Sequence, residues 1–264
     1  MTPVLSIPEV FLATLAGARQ VVISTLAYAV AFIVAFAAMV WGAEALPDSM
    51  AGSLGFLILV IGAMAAYCLF SAAIYRRLVP HTGSLATATW KLVLAWVLIF
   101  VVAAILATAI VLFFSLIGSS LGVVSGEAGQ DITDMTAQMR ENGTFYPLSV
   151  LFMLTLLGVF WFGVRMMLFG VATAARGAVH VFRTWAWTKG HAVPMAAGAL
   201  IFVVVPVIAC GYAADGLTRA LSLAESIVLQ AGLAAMFQVP AAWLGHAYVA
   251  AIYMRIAPPD SASA

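Results

Sequence analysis

Residues equipped for chemistry are sparse in this chain, and the first to test is a serine. Gly118-Ser119-Ser120-Leu121-Gly122 fits G-x-S-x-G, the pattern that raises a nucleophilic serine on a strand-turn-helix elbow. The flanking sequence supplies no such elbow. An intramembrane serine protease would instead pair a membrane-embedded serine with a histidine on another helix, and His246 is the candidate. Counting about 1.5 Å per helical residue, Ser120 lies about 43 Å from the inner end of its span and His246 about 13 Å from Arg255. That separation is far beyond hydrogen-bond reach, so the glycines read as a helix end.

His246 lies on an apolar stretch with Gln230 and Gln238. Ionisable groups inside a membrane are functional candidates, so Gln238 and His246 are the pair that would line a polar pathway. Steps of eight residues rotate about 80° around a helix, so the three do not share one narrow face, and hydrogen bonding between helices is the favoured reading. Arg165 stands eleven positions before Arg176 near the end of another apolar run. It either snorkels as a structural anchor, the favoured reading, or marks a buried site for an anionic headgroup.

The best contact candidate is the segment Ala178 to Lys189, where Arg183, Trp185, Trp187 and Lys189 combine charge with aromatic surface. His81, His180 and His191 lack acidic or cysteine partners at ligand spacing, which argues against zinc. No P-loop, dinucleotide fingerprint or basic-aromatic nucleic-acid surface occurs, and no cofactor is implied.

These residues must be held by elements built for oil. Hydrophobic residues make up 65% of the 264 positions and charged ones 8%, too little charge to clothe a soluble surface. A crossing of about 30 Å needs about 20 apolar residues with every backbone group satisfied inside the segment. Six stretches qualify, at about 20 to 43, 52 to 75, 91 to 117, 147 to 171, 192 to 214 and 226 to 254. Cys68 and Cys210 fall in such stretches at depths about 20 Å apart, which argues against a disulfide. The first twenty residues lack a basic leader region and include Pro8, Glu9 and Arg19, so no cleavable signal is expected.

With the N-terminus inside, Arg19, Arg76, Arg77, Lys91, Arg176, Arg183, Lys189 and Arg255 face the cytoplasm beside only Glu9 and Asp260. The other side holds Glu44, Asp48, Glu127, Asp131, Asp134, Glu141, Asp215 and Glu225 with Arg140 and Arg219. The bias of bases sets the orientation. Trp41 and Tyr146 outside, and Tyr75, Trp90 and Tyr253 inside, fit aromatic belts. The outer loop from about 118 to 146 is the one sizeable polar excursion; it could dock an extracytoplasmic partner, and a solvated acidic loop is the favoured reading.

An echo connects two span ends: A-A-I-Y-R-R-L-V-P from Ala72 to Pro80, and A-A-I-Y-M-R-I-A-P from Ala250 to Pro258. Each reads as a helix leaving the membrane and stopped by proline, and together they suggest duplication. Each outgoing span is also preceded by a short amphipathic segment. The first has Ser6 and Glu9 at capping-box spacing, the second starts near Ser84 with Leu85 and Trp90, and the third is Ala178 to Lys189 with Val179, Phe182, Trp185 and Ala186 at helical spacing. Such helices lie in the headgroup plane; as plain linkers they would pack under the bundle.

The run Arg165 to Gly190, R-M-M-L-F-G-V-A-T-A-A-R-G-A-V-H-V-F-R-T-W-A-W-T-K-G, resembles the membrane domain of the glycerophosphoryl diester phosphodiesterase type and related bacterial six-span proteins. There an arginine near the inner end of the fourth span precedes a loop, an amphipathic helix and a Ser-Trp-x-x-Thr-Lys/Arg-Gly signature. Thr184 to Gly190 occupies that signature with Thr for Ser, and Val171 stands where a proline is common. The opening segment and closing Tyr-x-Arg are similar too. The resemblance implies an inner-membrane domain. It does not imply phosphodiesterase activity, which belongs to members fused to a hydrolytic barrel that no soluble stretch here is long enough to form.

The expectation is an all-α polytopic membrane helix bundle over residues 1–264, with six spans, short interfacial helices, both ends cytoplasmic, and no enzymatic activity. It would organise membrane lipid or a protein partner. The alternative is a small transporter or lipid-translocating protein routed past Arg165, Gln238 and His246, which requires a mid-membrane cavity lined by those side chains.

Overall fold

The computed structural model describes residues 6–121, 132–223 and 226–258. Glu127, Asp131, Glu225 and Asp260 lie outside the described residues, as does the side chain of Asp134. The helices are α1 (Ile7–Ala45), α2 (Met50–Leu78), α3 (Leu85–Ser120), α4 (Ile132–Glu141), α5 (Phe145–Met166), α6 (Phe169–Arg176), α7 (Arg183–Trp187), α8 (Ala192–Ala199), a π-helical turn (Leu200–Val204), α9 (Val205–Ala220) and α10 (Ile227–Ile256). Among the described residues, six stretches are long and apolar enough to cross a bilayer: Ile7–Ala45, Met50–Leu78, Leu85–Ser120, Phe145–Arg176, Ala192–Ala220 and Ile227–Ile256. The fold is all-helical and the protein is a multi-pass membrane protein.

Two of the expected interfacial helices are not separate. Residues 7 to 19 continue directly into the first span, and residues 85 to 90 continue into the third. Nothing between them breaks a helix, and the first segment is apolar on more than one face, with Val10 buried while Phe11, Leu12 and Leu15 are exposed. The expected capping box is also absent, because Ser6 makes no side-chain cap bond. Pro8 in the first turn, which needs no N–H partner there, fits the start instead. Ser49 and Ser84 do cap, accepting from the Gly52 and Thr87 amides at 3.1 Å each.

The chain divides into two compact units, residues 96–163 and the remainder. In the smaller unit, α3 and α5 carry almost wholly exposed apolar side chains. A groove of about 520 Å³ is lined by residues such as Leu106, Ala109, Thr155, Gly158 and Phe162. The Thr155 hydroxyl donates to the Leu151 carbonyl at 2.9 Å, so its polarity is spent within its own helix.

In the larger unit, α1 and α10 pair antiparallel along their lengths. Trp243 Nε1 donates to Thr25 Oγ1 at 2.9 Å, and Arg255 Nη2 reaches the Glu9 carbonyl at 3.2 Å. Between these points Gly17 lets the chains close up: a Cβ there would lie 3.3 Å from Leu78 Cδ2 and 3.5 Å from Ala247 Cβ. Gly17 is therefore level with the end of α2, and α1 runs on for about ten residues, roughly 15 Å, beyond it. α8 and the end of α10 pack beside that extension, α6 packs on α2 and α10, and α7 packs on α6. The buried residues there include Leu92, Val171, Ala174, Met195, Tyr248 and Ile252, so much of the core sits at the basic end of the helices.

The two copies of A-A-I-Y end their helices alike. Ala72 to Tyr75 and Ala250 to Tyr253 are all buried, and Val79 and Ala257 each leave the helix in extended conformation while donating back to the tyrosine carbonyl at 2.9 and 3.0 Å. Each precedes a proline, which disfavours helical backbone at that position. Tyr75 and Tyr253 thus correct the aromatic-belt reading, since both face the interior, whereas Trp41, Trp90 and Tyr146 are exposed. Within the fifth span, Pro206 follows the π-helical turn, where the Val205 amide donates to the Leu200 carbonyl. The wider turn relieves the clash that a proline ring imposes on the preceding turn.

Candidate functional site

The fourth span breaks just after Arg165, without a proline. Met167 and Leu168 form a turn, with the Met167 amide on the Val164 carbonyl at 3.3 Å, and α6 restarts at Phe169. The broken end is met by α7. The Arg165 guanidinium stacks over the Trp185 ring at 4.7 Å, Nη2 donates to the Trp185 carbonyl at 2.7 Å and Nη1 to the Thr188 carbonyl at 3.4 Å. The Thr188 hydroxyl lies 3.4 Å from the Arg165 carbonyl and 3.0 Å from that of Trp185. A positive group at the end of α7 also suits the helix dipole and its unpaired carbonyls.

A second arginine repeats the arrangement at the far end of α6. Arg176 stacks over Trp187 at 4.5 Å, donates through Nε to the Tyr253 hydroxyl at 3.1 Å, and through Nη2 to the Pro258 carbonyl. Trp187 is therefore half-buried in intramolecular packing. Gly177, at φ +61°, turns the chain out of α6. The Ala175 carbonyl accepts from the Thr82 amide at 2.9 Å, and the Gly177 carbonyl accepts from Lys91 Nζ.

Most bases at this end are consumed by carbonyls in this manner. Arg76 donates to Gly83 at 2.7 Å and Arg255 to Ala251 at 2.7 Å, in addition to Lys91, Arg165 and Arg176. Arg19, Arg77, Arg183 and Lys189 are exposed and have no side-chain partner among the described residues. Two of these four belong to the third segment, where Arg183 opens α7 and Lys189 follows it. Thr184 and Thr188 are fully buried there, while Phe182 is 54% and Trp185 38% exposed. The third segment is a loop with one short helix, and it shows a mixed apolar and cationic surface with its hydroxyls turned inward.

The candidate polar-pathway residues are each occupied separately. His246 Nε2 lies 2.9 Å from Ser71 Oγ and Nδ1 lies 3.1 Å from Tyr75 Oη. Ser71 Oγ also donates to the Tyr67 carbonyl at 2.9 Å. One tautomer satisfies all three: Nε2–H donates to Ser71, Ser71 donates to Tyr67, and Tyr75 donates to Nδ1. In that arrangement the imidazole is not a base toward Ser71, so the serine-histidine contact is a helix-to-helix tie. Gln238 donates to the Val207 carbonyl at 3.3 Å and Gln230 to that of Leu223 at 3.1 Å. The groove in the smaller unit is lined by none of Arg165, Gln238 and His246. Ser120, at the end of α3, donates to the Ile117 carbonyl at 2.8 Å.

Sequence reasoning missed Ser71, Tyr75 and Tyr253 as partners of His246 and Arg176. The signal was present in the echo, where a tyrosine at the same step of two otherwise apolar helices needs a hydroxyl partner if it is buried. Among the described residues, no three His, Cys, Asp or Glu side chains gather as a metal site, and Cys68 and Cys210 are free thiols.

No family model matches the chain, and no match was found among curated proteins or solved structures.

Proposed function

We propose that this is a non-enzymatic protein of the bacterial inner membrane, both ends cytoplasmic, that holds anionic lipid at its basic end through the segment around α7. The carrying observation is that Arg183 and Lys189 are exposed and unpaired among the described residues, beside exposed Phe182 and Trp185, while neighbouring bases are spent on carbonyls. A cation near an anionic leaflet is worth about 1 kcal/mol, and exposed rings add apolar burial at the headgroup boundary. Membership of the glycerophosphoryl diester phosphodiesterase membrane-domain type goes with this reading and rests on the Arg165 to Gly190 signature. Transport draws no support from Arg165, Gln238 and His246, each of which is bonded to its own neighbours.

The test is native mass spectrometry of protein released from membranes of mixed anionic and zwitterionic lipid. Loss of both charges in R183A/K189A lowers retention of anionic lipid by roughly tenfold or more, at about 1 kcal/mol per base, and leaves zwitterionic retention unchanged. Equal anionic retention by the variant and the parent protein contradicts the reading.

A further inference from the structure

The segment that carries the lipid reading cannot hold its own shape. α7 has five residues, well below the length at which a helix persists in water. Its polar side chains Thr184 and Thr188 donate to carbonyls of the same segment, Val181 and Trp185, at 2.9 and 3.0 Å. Those bonds tighten its turns, and of the two hydroxyls only that of Thr188 also reaches outside the segment, to the Arg165 carbonyl at 3.4 Å. At the C-terminal end Arg176 covers the Trp187 ring, and the backbone itself is held by Arg165, whose fork takes two carbonyls one turn apart while its plane covers the Trp185 ring.

Two features make this arginine different from an ordinary snorkelling one. Its Nε is buried without a hydrogen-bond partner among the described residues, so the side chain is committed to the protein at some desolvation cost rather than extended to water. The span stops one residue later, so the break brings the guanidinium under α7 instead of continuing a helix past it. We infer that Arg165 is a positioning residue: it does not itself take the lipid, and it sets the pose in which Phe182, Arg183, Trp185 and Lys189 meet an anionic headgroup layer. This rests on the lipid reading above, with a separate consequence for the backbone.

Lysine supplies the charge but not the planar fork or the ring stack, and glutamine supplies neither the charge nor the second carbonyl bond. The experiment is hydrogen exchange, resolved to the 183–190 peptide, on R165K, R165Q and the parent protein in nanodiscs of anionic lipid, with lipid retention measured on the same samples. Exchange of that peptide rises about tenfold or more in R165Q and less in R165K. Anionic retention falls in the same order, while the 227–256 peptides stay protected in both. Unchanged exchange at 183–190 in R165Q overturns the positioning role, and so does raised exchange with undiminished lipid retention. The lipid reading itself fails independently, through undiminished retention in R183A/K189A.

Discussion

At the scale of single residues, the basic end is assembled from tight approaches that leave no slack. Tyr248 is fully buried, its hydroxyl donates to the Met195 carbonyl at 2.7 Å, and its ring stacks with Phe202 at 5.4 Å. Gly198 lies against that ring, where a Cβ would come within 2.6 Å of Tyr248 Cζ. Tyr248 is held at its far end by the Met195 bond and cannot swing aside. The variant G198A therefore loses about 1 to 3 kcal/mol from overpacking, visible as a lower unfolding midpoint in detergent; an unchanged midpoint would show that the ring can move. The same scale holds most of what the sequence concealed. His246 was legible as a bonded residue in an apolar helix, but Ser71 and Tyr75 stand more than 170 positions away in sequence, and no periodicity connects them. Tyr75 and Tyr253 read equally well as belt or core, because the same amphipathic ring serves both. Only packing decides between the two.

Elements follow a different logic, in which apolar length was easy to see and helix ends were not. The six spans stood out because hydrocarbon demands a minimum apolar run, and the stops at Val79 and Ala257 were marked by the prolines after them. The break at Met167 and Leu168 carries neither glycine nor proline, so no local signal announced it. Arg19 marked a border that the helix ignores, since α1 begins at Ile7 and continues through it. Similarly, α6 is one of the shortest described helices at eight residues, and it is fastened at its C-terminus by groups from the loop after α2 and the start of α3. The double variant T82V/K91M removes the side-chain donors to Ala175 and Gly177. Hydrogen exchange in the 169–177 peptide should rise several-fold, at about 1 kcal/mol for the lost charged bond, with the 50–70 peptides unaffected. Equal protection in parent and variant would mean that α6 is held by its buried face alone.

For the whole molecule, charge and packing coincide. Arginines and lysines at the basic ends of the helices serve two purposes: Arg76, Lys91, Arg165, Arg176 and Arg255 tie carbonyls together, and Arg19, Arg77, Arg183 and Lys189 remain for solvent or headgroups. An isolated peptide carbonyl accepting from a guanidinium needs no acid nearby, which explains how a face with so few carboxylates keeps its bases anchored. That economy works only if the ends carrying these bases share one compartment. The direct measurement is labelling of single cysteines by an impermeant maleimide in sealed vesicles, in a background lacking Cys68 and Cys210, with H81C, K189C, R140C and D215C. Positions 81 and 189 should react from one side and positions 140 and 215 from the other. Labelling of 81 and 140 from the same side would contradict a six-span protein with its basic ends gathered on one face of the membrane.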